Sequence, residues 1–218
     1  MDLHIGKVVL PIGRRGAGGG VDLLGTCFAV GSRKFATAAH VVGPSDEGLS
    51  AVHGRTDSLN DYQDTTNNAV QIVPLKIVNY SPAHDVAILE IADAQIDFAY
   101  SLGSADEVLP GAPVVSLGYP HADHGRLVLT QQSSMVGARV LLGVETMKLK
   151  HVVLNTQTRP GQSGGPVFTS DGTRICAMIT GGYTPSGAGG GIRLGTIDPQ
   201  TLHQTTHAVS AEYIREML

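Results

Sequence analysis

Residues 161–166 read Gly-Gln-Ser-Gly-Gly-Pro and are followed by the apolar pair Val167 and Phe168. A serine between glycines can present its hydroxyl on a tight turn while neighbouring backbone N–H groups converge on one point beside it. Two glycines and a proline directly after Ser163 make a poor start for a helix. We therefore expect this serine to lie on a turn that leads into a β-strand.

Short apolar or alternating runs, bounded by Gly, Pro, Asn and Asp clusters, dominate the rest of the chain. This pattern is typical of an all-β sandwich or barrel. The runs are residues 5–10, 24–30, 34–38, 70–78, 86–91, 113–117, 127–131, 135–144, 146–155, 165–168, 175–180 and 192–197. One helix is predicted, over residues 211–218, with Ser210 as its N-cap and Glu212 in its first turn.

Composition excludes several classes of protein. The 218 residues suffice for one large domain or two small ones, and with 42% hydrophobic and 16% charged residues the chain is neither a disordered tail nor a nucleic-acid arm. The formal net charge of −4 speaks against nucleic acid as a partner, because that binding needs clustered cations. Residues 1–13 hold no basic leader, and no run approaches the ~20 apolar residues of a membrane helix. We therefore expect a cytoplasmic protein with no membrane partner.

The two cysteines and the histidine pair at residues 121 and 124 are interpreted as structural and not as functional residues. Cys27 and Cys176 lie among apolar residues, which favours buried free thiols over a single disulfide. His121 and His124 have a spacing that could suit a metal, but without a third ligand at a recognisable spacing we interpret them as part of a polar loop.

Three stretches are predicted to be solvated loops. They are the glycine-rich residues 13–20 and 185–191 and the acidic residues 43–68.

A serine hydroxyl is a weak nucleophile that needs a base, and the base needs an orienting group. Of nine histidines, His40 ends an apolar strand that runs into a turn of small residues, where an imidazole would sit at the edge of a core. Asp85 heads the apolar run 86–91, and a partly buried carboxylate there needs a partner. We therefore predict that His40 and Asp85 pair.

These segments resemble, in order, the motifs of the chymotrypsin-like serine proteases, within them the bacterial trypsin-like branch that includes the HtrA proteases. The matching residues are 37–40 (Thr-Ala-Ala-His), 84–89 (His-Asp-Val-Ala-Ile-Leu) and 161–166. The resemblance implies a single protease domain over residues 1–218, built from two six-stranded Greek-key β-barrels. The first barrel would occupy about residues 1–100, and the second barrel with the terminal helix about residues 101–218.

The resemblance also implies a serine endopeptidase whose site lies in the groove between the barrels. Ser163 would attack the scissile carbonyl, His40 would transfer its proton, and Asp85 would orient the imidazole. The backbone amides of Gly161, Gln162 and Ser163 would form the oxyanion hole. No metal or organic cofactor is expected, and the partner is a protein or peptide substrate.

Substrate binding is assigned through the same resemblance. Gln157 and Thr158 would line the pocket for the substrate side chain. Thr180, Gly181 and Gly182 would pair with the substrate backbone as an added antiparallel strand.

Two positions depart from the family pattern. Gln162 stands where zymogens carry an aspartate that pairs with a freshly cut N-terminus, so no such cleavage is expected to activate this chain. Gln157 stands where trypsins carry an aspartate, which favours a small aliphatic or uncharged polar residue over Lys or Arg at the cleaved bond.

Two alternatives remain open. The chain could be a protease-fold protein that is dormant or inactive until a regulatory protein binds, since flexible glycine loops could leave the oxyanion hole unformed. It could also be an α/β-hydrolase esterase with Asp171 or Asp198 and His203 or His207 after the serine, which fits badly because a helix should follow that serine.

Overall fold

The structure is a computed structural model that describes residues 4–16, 18–53, 55–67, 69–92, 95–144, 146–182 and 205–218. Strands dominate these ranges, and the helices among them are short. The predicted strand at 192–197 and the glycine-rich stretch 185–191 lie outside the described residues. No helix within the described ranges is long and apolar enough to cross a membrane.

Six strands of the N-terminal half close into a barrel. They are β1 (Val9–Arg15), β2 (Val21–Gly31), β3 (Lys34–Thr37), β4 (Leu49–Val52), β5 (Ile72–Ser81) and β6 (Val86–Ile91). Neighbours follow the order β1-β2-β3-β6-β5-β4, and β4 pairs with β1 to complete the ring. Because β4 returns to lie beside β1, the first four strands form a Greek key.

The C-terminal half forms a second sheet. Its strands are β7 (Ser101–Leu102), β8 (Pro113–Gly118), β9 (Thr130–Val144), β10 (Met147–Leu154), β11 (Pro166–Thr169), β12 (Arg174–Gly182) and β13 (Thr206–Ser210). The order is β11-β8-β9-β10-β13-β12-β7, and β11 also pairs with β12. Six strands thus form a ring with the connectivity of the first barrel. The short β7 is added outside the ring by parallel pairing with β12, so within the described residues the sheet has seven strands, one more than the predicted six.

The larger hydrophobic core runs from the first barrel into the second. It joins residues such as Phe28 and Ile88 to Tyr119, Met178 and Val209. The Tyr119 hydroxyl, fully buried, donates to the Val9 carbonyl at 3.0 Å. This continuous packing holds the two barrels together.

The first helix, α1 (Ile5–Val8), occupies a segment predicted to be a strand. Gly6 lies so close to the Thr56 carbonyl that a Cβ there would overlap it, and the Gly6 amide donates to the Asp57 carbonyl at 3.0 Å. A tertiary contact with a distant loop therefore overrides the local strand preference, and β1 begins only at Val9.

The C-terminal helix, α3, is short and spans Glu212–Glu216. The prediction that Ser210 caps it is wrong, because Ser210 ends β13 and its hydroxyl accepts from the Ala105 amide at 2.9 Å. Ala211 occupies the N-cap position. Glu212 lies in the first turn as predicted, where it accepts from the Ser104 hydroxyl at 2.7 Å.

Two further differences concern the loops. Strand β4 lies inside the stretch 43–68 predicted to be a solvated loop, and its four residues are all buried. The predicted strand at 127–131 is not a separate element, because β9 begins at Thr130 and continues to Val144. Cys27 and Cys176 are free and buried, as predicted, and burial raises the pKa of the Cys176 thiol to about 12.

Candidate active site

His40 lies on the single-turn helix α2 (Ala39–Val42), directly after β3. Val41 and Val42 are buried in the core, whereas His40 is exposed. The apolar neighbours anchor the turn and hold the imidazole at the protein surface. This placement agrees with the expectation drawn from the small-residue turn.

Asp85 faces this imidazole. His40 Nδ1 lies 2.8 Å from Asp85 Oδ2 and 3.0 Å from Oδ1, and the His40 backbone amide donates to Oδ1 at 2.9 Å. The Asp85 carbonyl also accepts from the Ala39 amide at 3.1 Å. With Nδ1 protonated to donate to the carboxylate, Nε2 carries the lone pair and can accept a proton.

The backbone of Asp85 is unusual. Its φ of +54° is uncommon outside glycine, although aspartate tolerates it better than most residues. The Asp85 amide donates to the Pro82 carbonyl at 3.2 Å, which closes a turn ahead of β6. Local strain of this kind is concentrated at functional sites.

His151, on β10, is a buried histidine. Burial lowers the pKa of its imidazole, against smaller opposing effects that include the charge of Asp85. Its Nδ1 lies 3.1 Å from the Leu149 carbonyl. Sequence reasoning did not single out His151, which the structure buries on β10 of the second sheet.

Ser163 lies on a turn between two glycines with left-handed backbone, Gly161 (φ +93°) and Gly164 (φ +83°). Its Oγ lies 3.5 Å from the Thr180 carbonyl, at the outer limit of a hydrogen bond. Within the described part of the chain, Ser163 makes no hydrogen bond to His40. The structure thus pairs His40 with Asp85 and leaves the serine hydroxyl outside that pair.

The serine turn nevertheless packs against the strands that carry the histidine. A Cβ at Gly164 would overlap the Thr26 carbonyl and the Thr37 hydroxyl. A Cβ at Gly25 would lie 2.8 Å from both the Ser163 carbonyl and Val41 Cγ1. Glycine at these positions therefore lets the turn of the second barrel approach β2, β3 and α2 of the first.

The backbone amides beside Ser163 differ in whether they have a hydrogen-bond acceptor. The Pro160 carbonyl accepts from the His121 amide at 2.7 Å, and because this peptide is trans, the Gly161 N–H points the opposite way. Among the described residues, neither the Gly161 nor the Ser163 amide has an acceptor. The Gln162 amide donates to the Arg159 carbonyl at 3.1 Å, so the prediction that it joins an oxyanion hole is wrong.

Residues assigned to substrate binding flank the serine turn. The Thr158 amide donates to Thr206 Oγ1 at 3.0 Å, and Gln157 Oε1 accepts from Arg159 Nη1 at 3.0 Å. Both residues lie in the segment between β10 and the serine turn.

Thr180, Gly181 and Gly182 end β12. Gly181 and Gly182 pair with β13, and the Thr180 hydroxyl donates to the His207 carbonyl at 3.1 Å. Their other edge has no strand partner within the residues that the structure describes.

Thr26 of β2 is a residue that sequence reasoning missed. Fully buried, it donates from its hydroxyl to the Gly161 carbonyl at 2.7 Å, and its amide donates to the Ser163 carbonyl at 2.9 Å. A threonine inside an apolar run gives no local signal of this contact, because its partners lie far along the chain.

The structure also bears on the open alternatives. Ser163 is followed by strand β11 and not by a helix, and the architecture is all-β, so the α/β-hydrolase reading is wrong. His124 pairs with Asp123 at 3.2 Å, and the described residues contain no group of three potential metal ligands.

The sequence profile of the trypsin-like peptidase domain matches residues 25–177. The chain belongs to the trypsin-like peptidase family. The magnetosome formation protease MamE of Paramagnetospirillum magneticum is 31% identical over 121 residues, which cover 54% of this trypsin-like chain and 16% of MamE. The alignment thus spans only a small part of that relative.

Solved structures share the fold of this trypsin-like domain. The MamO protease domain from Magnetospirillum magneticum, in its apo form, superposes with a TM-score of 0.69 at 17% identity, covering 99% of this chain and 97% of that one. The HtrA-type protease AlgW with a tripeptide gives 0.66 at 16% identity, covering 98% and 59%. At these identities the likeness establishes the chymotrypsin-like fold.

Proposed function

We propose that the protein is a serine endopeptidase in which Ser163 is the nucleophile, His40 the general base and Asp85 the orienting carboxylate. The observation that carries the proposal is the Nδ1–carboxylate pair of 2.8 Å, which leaves Nε2 as an acceptor on the helix that the serine turn approaches. Membership of the trypsin-like peptidase family supports it.

The reaction proceeds through an acyl-enzyme. Ser163 Oγ attacks the scissile carbonyl carbon while His40 Nε2 takes the hydroxyl proton. The tetrahedral intermediate collapses, the C–N bond breaks, and Nε2 returns the proton to the leaving amine. Water then attacks the ester with the same imidazole as base, and Ser163 is released with its proton. Asp85 stabilises the imidazolium in both halves.

The serine hydroxyl has to leave the Thr180 carbonyl to reach His40. Rotation about one side-chain bond between staggered positions moves Oγ without moving the backbone. Catalytic hydrogen bonds often tighten only when substrate is bound, so a long contact without substrate is compatible with activity.

Two backbone N–H donors stabilise the negative charge on the tetrahedral intermediate. The Gly161 and Ser163 amides have no acceptor of their own in the described chain and lie on either side of Gln162. Removal of one such donor typically costs about 10²–10³ in rate. We therefore assign the oxyanion hole to these two amides.

The substrate is an extended peptide that adds a strand to the open edge at Thr180, Gly181 and Gly182. Gln157 carries a neutral amide at the position where a pocket for Lys or Arg would need a carboxylate. We therefore propose an uncharged residue at the cleaved bond and no cofactor in the reaction.

One observation favours a second candidate, a protease that stays dormant until a protein partner binds. The Ser163 hydroxyl contacts the Thr180 carbonyl and makes no hydrogen bond to His40 within the described residues. A partner that reorients this side chain would then switch on the same chemistry.

A proteome-derived peptide library, incubated with the protein and analysed by mass spectrometry, separates the two candidates. The active protease cleaves the library, Ser163→Ala does not, and Ser170→Ala, on an exposed turn, matches the wild type. Cleavage that appears only after a cell extract is added supports the dormant form. Cleavage by Ser163→Ala at the wild-type rate contradicts both.

A further inference from the structure

Gln162 is a polar side chain that is almost fully buried, with 3% of its surface exposed. Its Oε1 accepts from the Arg159 amide at 2.7 Å, while its own amide donates to the Arg159 carbonyl at 3.1 Å. Two hydrogen bonds therefore join residues 159 and 162 and enclose Pro160 and Gly161 in a closed turn.

Contacts from β2 and from the segment after β8 hold the two enclosed peptide groups. The Pro160 carbonyl accepts from the His121 amide, and the Gly161 carbonyl accepts from the Thr26 hydroxyl at 2.7 Å. Because the Pro160 carbonyl is held by His121, the Gly161 N–H of the same peptide points the opposite way and has no acceptor among the described residues. A flip of this peptide would break the contact with His121 and put the Pro160 carbonyl where the Gly161 N–H now points.

We propose that Gln162 is a positioning residue for the oxyanion hole, because its side-chain carbonyl holds the turn 159–162 from within. This inference rests on the proposed function of Ser163. The neutral side-chain amide of Gln162 thus stabilises the turn from within. The oxyanion hole therefore forms without an ion pair between residue 162 and a freshly cut N-terminus.

Two substitutions separate this role from simple packing. Gln162→Met keeps the length and burial of the side chain but removes the acceptor for the Arg159 amide. Gln162→Glu keeps an acceptor oxygen at the same reach. A matched control is Gln63→Met, because Gln63 also bonds the backbone through its side chain, to both the amide and the carbonyl of Leu129 at 2.8 Å.

The kinetic test uses a peptide that the wild-type protein cleaves. Gln162→Met is expected to lower kcat by about 10²–10³, the usual cost of one oxyanion donor, with KM within a few-fold of the wild-type value. Gln162→Glu is expected to restore most of kcat, and Gln63→Met to leave it unchanged. A wild-type kcat in Gln162→Met would overturn the proposal.

A second measurement needs no catalysis. Amide hydrogen exchange at Arg159 is expected to be protected in the wild type and in Gln162→Glu, and to lose protection in Gln162→Met. The downfield proton resonance of His40 Nδ1–H should persist in all three and so report an intact histidine–aspartate pair. If the wild type cleaves no peptide, with or without added cell extract, the proposed function fails. Unchanged Arg159 exchange in Gln162→Met would independently overturn the role of Gln162.

Discussion

At the residue scale, the proposed chemistry depends on the contact between one carboxylate and one imidazole. Asp85 contacts both the Nδ1 and the backbone amide of His40, so it sets the orientation of the ring as well as its tautomer. The carboxylate is partly buried, with 27% of its side chain exposed, and a charge in that position is stabilised by its donors.

Replacement of Asp85 by asparagine should therefore cost far more than the loss of one charge. The amide can donate to Nδ1, which favours the tautomer with the proton on Nε2, where it cannot accept from Ser163. We expect kcat to fall by about 10⁴. Asp123→Asn is the control, since Asp123 also pairs with a histidine but on an exposed loop. A loss of kcat below tenfold, measured on the same peptide, would contradict the assigned role.

At the element scale, β2 contacts the serine turn of the second barrel through the side chain of Thr26. The Thr26 hydroxyl donates to the Gly161 carbonyl and accepts from the Tyr119 amide at 3.2 Å, and all three groups are buried. This strand therefore positions the serine turn although it carries none of the reacting groups.

Thr26→Val keeps the shape of the side chain and removes both hydrogen bonds. Leaving buried polar groups unpaired costs about 1–3 kcal/mol each, so the free energy of unfolding should fall by at least about 1 kcal/mol and kcat should fall with it. Thr26→Ser retains the hydroxyl and should preserve activity. Urea unfolding and peptide kinetics on the two variants check this, and equal activity of Thr26→Val and wild type would refute the link.

The elements that could be predicted from the sequence are those in which nearly every residue of an apolar run faces the core. The strand predicted at 86–91 is β6 with the same bounds, because apolar residues occupy nearly all of it. Helix α1 and strand β4 were missed, since both are only four residues long and depend on contacts made by distant segments. Local preference cannot report such contacts.

The candidate site, too, has a part that could be predicted from the sequence and a part that could not. The pairing of His40 with Asp85 was expected from two motifs and the rule that a partly buried charge needs a partner. The engaged amide of Gln162 and the contacts of Thr26 depend on how the serine turn packs, and residues 26 and 161 are far apart in the chain. Chemistry was therefore easier to predict than the scaffold that positions it.

At the scale of the whole molecule, the burial of two histidines on neighbouring strands of the second sheet links stability to pH. Burial lowers the pKa of His151, and desolvation also lowers the pKa of His207. Below the ordinary histidine value of about 6.5, the unfolded chain binds more protons than the folded one, so the free energy of unfolding falls as the pH falls.

We expect this loss between about pH 7 and pH 5, above the range in which the hydrogen-bonded Asp106 and Asp171, whose pKa values are lowered, take up protons. His151→Gln should reduce the slope by at most about 1.4 kcal/mol per pH unit, the linkage of one proton. At pH 8, the difference in the free energy of unfolding between His151→Gln and the wild type measures the packing cost alone. Urea unfolding across this range checks the slope, and identical slopes for both proteins would contradict the assignment.

The central claim is that Ser163 is made nucleophilic by His40 and Asp85. A fluorophosphonate tests it directly, because the serine oxygen attacks phosphorus and fluoride leaves. Intact-mass measurement and peptide mapping should find one adduct, on Ser163, that is absent from Ser163→Ala and forms far more slowly on His40→Ala. An adduct on another residue of the wild-type protein, or labelling of His40→Ala at the wild-type rate, would contradict the account.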